Sequence, residues 1–71
     1  SFELEGVPGQ LDTAARSFVL RGVTVGYARA DLVFKGGSAA NLVGYAGTLQ
    51  VKGVLSADRT RLEATEIEFE S

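Results

Sequence analysis

Three stretches of the chain alternate apolar residues with charged or polar ones, and two of them end in glycine. They are Phe2-Glu3-Leu4-Glu5-Gly6, Leu49-Gln50-Val51-Lys52-Gly53 and Glu66-Ile67-Glu68-Phe69-Glu70. A β-strand turns successive side chains to opposite faces. A period of two therefore puts Phe2, Leu4, Leu49, Val51, Ile67 and Phe69 on one face of a sheet and the charges on the other. Few patterns constrain a chain this tightly. They report an architecture, not a chemistry.

Size sharpens the constraint. A chain of 71 residues makes one domain, 1–71, and buries only about 60% of the surface that its unfolded form exposes. Small domains commonly compensate with disulfides or a metal. The chain has no cysteine, which rules out disulfides and thiolate metal sites, and no histidine, the commonest general base and transition-metal ligand. What remains is an apolar fraction of 45%, rich in valine, leucine and alanine. A closed or nearly closed β-barrel uses such a fraction economically, because closure also removes exposed strand edges.

The order of elements agrees. Residues 2–7 read as a strand that Pro8-Gly9 bends or bulges, and Gln10-Leu11-Asp12 continue it. Asp12-Thr13-Ala14-Ala15 reads as a turn with Asp12 as a side-chain acceptor. Ser17 to Arg21 is a second strand. Arg21-Gly22 is a tight reversal or a glycine bulge, the bulge accounting for the change of parity between Phe18, Leu20 and Val23, Val25, Tyr27. Ala30 to Phe34 is a further strand segment. Ser38 to Leu42 is one helical turn with Ser38 as its cap. Tyr45 to Leu55 reads as the longest strand, Ser56 to Thr60 as a hairpin loop, and Arg61 to Glu70 as the last strand. Within that last strand, either Ala64 or Thr65 leads inward to Ile67 and Phe69. The expected fold is all-β. It is a small five- to six-stranded Greek-key barrel like the oligonucleotide/oligosaccharide-binding (OB) fold, with a one-turn helical link between strands three and four.

Chemistry is sparse. The acidic stripe of Glu3, Glu5, Glu63, Glu66, Glu68 and Glu70 reads as a solvated face. Lys52 lies between two acidic strands and offsets their repulsion. A calcium site is the sharper alternative, but no loop has the closely spaced oxygen ligands of an EF-hand. Arg16, Arg21, Arg29, Lys35, Arg59 and Arg61 are spread over loops and strand ends. Tyr27, Phe34 and Tyr45 are the candidate ligand-binding residues, the stacking platforms that a single-strand or sugar binder would use. Seven basic against nine acidic residues give a net charge of −2. That balance makes nucleic acid an unlikely partner and disfavours anionic membranes. Gly36-Gly37-Ser38 lacks the lysine of a phosphate loop and reads as a flexible link. No serine or threonine stands in a recognisable arrangement with a base. No catalytic, cofactor or metal residue is assigned, and the chain is expected not to be an enzyme.

The second half runs Gly36-Gly37-Ser38-Ala39-Ala40-Asn41-Leu42-Val43-Gly44, then Leu49-Gln50-Val51-Lys52-Gly53-Val54-Leu55, then Glu63-Ala64-Thr65-Glu66-Ile67-Glu68-Phe69. In these segments it resembles a bacterial family, domain of unknown function 5666. Phe2 to Gly6 and Ser17 to Val25 resemble its opening strand and hairpin. Tyr45-Ala46 and Asp58-Arg59-Thr60 depart from its pattern. The resemblance implies a repeated, exported or envelope-associated module with no established activity. It transfers no site residue. With no methionine in the chain, the expectation is a piece or repeat of a longer protein. Its expected location is the cell envelope, periplasm or extracellular space, and its expected role is structural or binding. An OB-type binder of single-stranded nucleic acid or oligosaccharide is the alternative, and self-association through a free edge strand is a further possibility. The segment has no apolar run near roughly 18 residues that would insert into a membrane.

Overall fold

A computed structural model describes residues 1–70. The chain forms seven strands and one 3₁₀ turn. They are β1 (Phe2–Gly6), β2 (Gly9–Asp12), β3 (Ser17–Leu20), β4 (Val23–Gly26), β5 (Val33–Lys35), the turn Ala39–Leu42, β6 (Thr48–Leu55) and β7 (Arg61–Glu70). The strands make one mixed sheet in the order β1-β6-β7-β4-β3-β2, and β5 also pairs with β7. β4 and β5 run parallel to β7 along the same edge of it, while β6 lies antiparallel to β7. The path is not closed by strand pairing. Its two ends, β1 and β2, are consecutive in the chain and are joined by Val7-Pro8.

The alternating stretches are neighbours, as their pattern requires. Leu4, Val51 and Ile67 stand in one row across β1, β6 and β7, and Gly6, Leu49 and Phe69 in the next. Leu49, Val51 and Ile67 are fully buried, together with Phe18, Leu20, Val25 and Leu62. All buried positions among the described residues are apolar or glycine; none is polar or charged. On the opposite face Glu3, Lys52 and Glu66 share a row, so Lys52 does lie between two acidic strands.

Of the two alternatives that the sequence leaves open at Arg21-Gly22, the structure has the tight reversal and no bulge. Both residues have positive φ (51° and 78°), the geometry of a type I′ hairpin turn. Leu20 then faces Val23, and Phe18 faces Val25, which explains the change of parity without an extra residue. The strand expected at Ala30–Phe34 is reduced to Val33–Lys35, because Arg29 and Asp31 close a turn on themselves with an ion pair of 2.8 Å. The strand expected from Tyr45 begins at Thr48, and the ten-residue β7 is the longest. The expected five to six strands become seven because Pro8 divides the first and the 27–32 loop divides the third.

Within β7 the choice between Ala64 and Thr65 is made by a bulge. Lys52 pairs with Glu66 but Gly53 pairs with Ala64, leaving Thr65 as the extra residue. Its hydroxyl donates to the Lys52 carbonyl at 3.3 Å. The insertion resets the alternation, so Leu62 and Ala64 share the inner face with Ile67. It also draws the two backbones together at Gly53. A Cβ there would lie 2.9 Å from the Ala64 Cα and closer still to the Glu63 carbonyl oxygen. Backbone cannot move aside as a side chain can. Gly53→Ala is therefore expected to destabilise the domain by roughly 1–3 kcal/mol, read as a lower urea midpoint with little change in slope.

Candidate functional site

The three aromatic candidates occupy different settings. Tyr27, just after β4, is buried with its ring centroid 6.0 Å from that of Phe18. Phe34, at the centre of β5, is half-buried and stacks on Phe69 at 6.3 Å, with 24° between the rings. Tyr45 meets Phe69 edge-on, at 5.0 Å and 90°. The fold thus brings Phe34 and Tyr45 together around Phe69 and leaves Tyr27 apart from them, against Phe18. β5, the start of β6 and the end of β7 all converge at this cluster. Its compactness depends on Gly37, where a Cβ would lie 2.7 Å from the Phe69 ring.

The Tyr45 hydroxyl lies 2.9 Å from the Thr48 carbonyl and 3.0 Å from the Glu70 carbonyl, and its single proton serves both. It ties the end of β7 to the start of β6. One side of Tyr45 borders a shallow groove of about 200 Å³, lined by Pro8, Gly9, Leu11, Phe18, Leu42 and Tyr45, with Gln10 and Gly44 also contributing. Pro8 bends the chain between β1 and β2. Leu42 is brought down by the 3₁₀ turn, whose start is held by Asn41: its Oδ1 accepts from the Ser38 amide (2.8 Å) and hydroxyl (3.2 Å). Ser38 was expected to cap this turn, and Asn41 is its partner in doing so. Sequence reasoning read Pro8, Leu11 and Leu42 as strand and turn punctuation. Only the return of the turn onto β2 makes them walls of one groove.

The acidic face is partly neutralised. Glu66, the most enclosed carboxylate in these pairs, takes Lys35 at 3.2 Å and Lys52 at 3.8 Å. Gln50 donates to Glu3 at 3.3 Å. Toward the other end of β7, Glu70 is pushed above the ordinary glutamate value, first by sharing a proton with Glu5, then by partial desolvation and by repulsion from Glu5 and Glu68. Among the described residues, no three carboxylates are grouped as a metal site requires, and no helix is long and apolar enough to cross a membrane.

No protein-family model, no curated protein and no solved structure matches the chain.

These contacts set two expected outcomes. Tyr45→Phe keeps the aromatic packing and removes the link between β6 and β7. It is expected to cost about 1 kcal/mol in chemical unfolding. The Glu5–Glu70 pair sets a pH dependence. A raised carboxyl pKa means that the folded chain holds the proton more tightly than the unfolded one. The pair's favourable contribution is present below the ordinary value of 4.5 and is lost as pH rises through the raised one. Glu70→Gln is expected to flatten this part of the stability profile, from the ordinary value of 4.5 upward, as measured by thermal unfolding.

Proposed function

We propose that the chain is a non-catalytic structural or binding module, a small OB-like barrel from a bacterial envelope or secreted protein. The observation that carries this reading is the division of side chains. The buried core holds no acidic or basic side chain, and the charged groups lie outside it, where four ion pairs join several of them to one another. Such a division favours a rigid, soluble unit. Catalytic sites tend instead to hold desolvated ionisable groups in clefts.

The barrel reading is supported by two features. If β1 and β2 count as one bent strand, and β4 and β5 as another, the strand order reduces to that of a five-stranded Greek-key barrel, with its third and fifth strands parallel. The bent first strand would then supply both ends of the sheet. In keeping with this, Gly6 at the end of β1 abuts β3. A Cβ at Gly6 would lie 3.3 Å from Leu20 Cδ1 and 3.2 Å from Arg21 Cγ. The envelope assignment, and membership of the domain of unknown function 5666 family, rest on the glycine-and-strand motifs alone. A second reading, a sugar or single-strand binder, is favoured by one observation: the half-buried Tyr45 lines the groove.

Solution NMR tests the reading. Contacts between the Gly6 α-protons and the Leu20 methyls are expected, and their absence would count against closure. In titrations with short oligosaccharides and oligonucleotides, the module reading expects the groove residues to keep their shifts at ligand concentrations on the order of tens of micromolar. Saturable shifts at Tyr45 and Leu11 would transfer the assignment to a ligand binder, and turnover of any substrate would overturn it.

A further inference from the structure

β1 and β7 lie on either side of β6, and both run antiparallel to it. They are therefore parallel to each other, with one strand between them. Phe2, at the start of β1, stands level with Gly53 of β6, and Glu70, at the end of β7, stands level with Thr48. At the ordinary rise per residue of a strand, these two levels are about 17 Å apart along the strand axis. Tension carried along the backbone enters the strands at Phe2 and leaves them at Glu70. It draws β1 and β7 along their own axes in opposite directions.

The ladders meet such a pull in shear. Antiparallel ladder bonds lie perpendicular to the strands. Axial tension therefore crosses all of them together, whereas a pull at one end of a ladder opens them pair by pair. β7 is held on both edges, by β6 along one and by β4 and β5 along the other. β1 has its ladder partner in β6, through five residue pairs from Phe2 with Gly53 to Gly6 with Leu49. This shorter ladder is the first to yield. Contacts on both faces oppose its sliding. Leu4 stands in one row with the buried Val51 and Ile67. Gln50 donates to Glu3 at 3.3 Å, and the Arg59 guanidinium lies over the Phe2 ring at 5.7 Å. A slip of one residue would pair β1 with its apolar face outward, so the nearest acceptable register is two residues away. At the other end, the Tyr45 hydroxyl holds the Glu70 carbonyl beside that of Thr48.

We propose that the module is a mechanical link. Its fold resists tension along the strand axis, and the β1–β6 ladder is the clamp. This role rests on the structural-module reading and deepens it, because it gives that module a specific task. It needs no ligand, and it does not depend on where the parent protein resides.

Single-molecule force spectroscopy on the whole chain tests it. Handles joined to the two chain ends pull axially. The chain has no cysteine, so Val54→Cys gives one further, unique anchor. Val54 is exposed and follows Gly53, the partner of Phe2. A pull between residues 1 and 54 therefore peels β1 from β6, starting at Phe2. Peeling frees two residues, about 7 Å of chain, for each pair opened, so the same ladder opens over a longer path and at lower force. The axial unfolding force is expected to exceed the peeling force by roughly twofold or more at equal loading rate. Both pulls are made on the same variant, so any loss of stability enters both alike. Ala57→Cys, in the exposed loop at that end of the sheet, serves as a second peeling anchor. An axial force equal to or below the peeling force at both anchors would overturn the mechanical role. The module reading is decided by the ligand titrations and by turnover, so its failure has a different signature.

Discussion

The pairing of β6 with β7 is the contact on which the rest of the molecule hangs. β7 is the shared strand. It receives β6 along one edge and β4 and β5 in succession along the other. The bulge at Thr65 gives each half of β7 its own inward set, Leu62 and Ala64 before it and Ile67 and Phe69 after it. The close approach of backbones at Gly53 is the steric consequence of that insertion.

Around this hairpin the charges are arranged so that the sheet tolerates its acidic face. Glu66 stands between Lys35 and Lys52, on strands that flank β7 from either side. Exposed pairs of this kind contribute little individually, about 0–1 kcal/mol. Their role is to limit repulsion along a row that would otherwise carry only carboxylates. Where no lysine reaches, at Glu5 and Glu70, the two carboxyl groups share a proton, and this hydrogen bond, ahead of partial desolvation and repulsion, raises Glu70. Arg21 and Arg59, which no carboxylate pairs among the described residues, lie away from this row, at the tips of the β3–β4 and β6–β7 hairpins that the Thr24 amide and the Thr60 carbonyl join.

Much of this was legible in residue order. The inward faces of β1, β6 and β7, the position of Lys52, the Pro8 bend and the 3₁₀ turn each rest on a local signal: alternation, imino-acid geometry or a capping side chain. The departures have local causes that such signals hide. Residues Ala30 to Phe34 are apolar enough for a strand, yet the Leu32 amide donates to the Arg29 carbonyl and the Arg29–Asp31 pair at 2.8 Å spans the same turn. Tyr45 is in phase with Leu49 and Val51, yet its hydroxyl bonds to the carbonyls of Thr48 and Glu70 and holds it off the strand. Of the candidate site, Tyr45 was identifiable by type, but its neighbours Leu11 and Leu42 were not. Nothing in a leucine distinguishes a groove wall from a core position.

The amino-acid order by itself determined an all-β chain, the inward and outward faces of its principal strands, and a core without cysteine or histidine chemistry. Those properties arise from side-chain periodicity and composition, which act locally. Tertiary structure alone decided the order of strands, the bulge at Thr65, the meeting of Phe34, Tyr45 and Phe69, and the joining of the two arginine-bearing tips. Each of these depends on residues far apart in the chain, and the burial of a shared apolar face selects among pairings that local preference leaves equal.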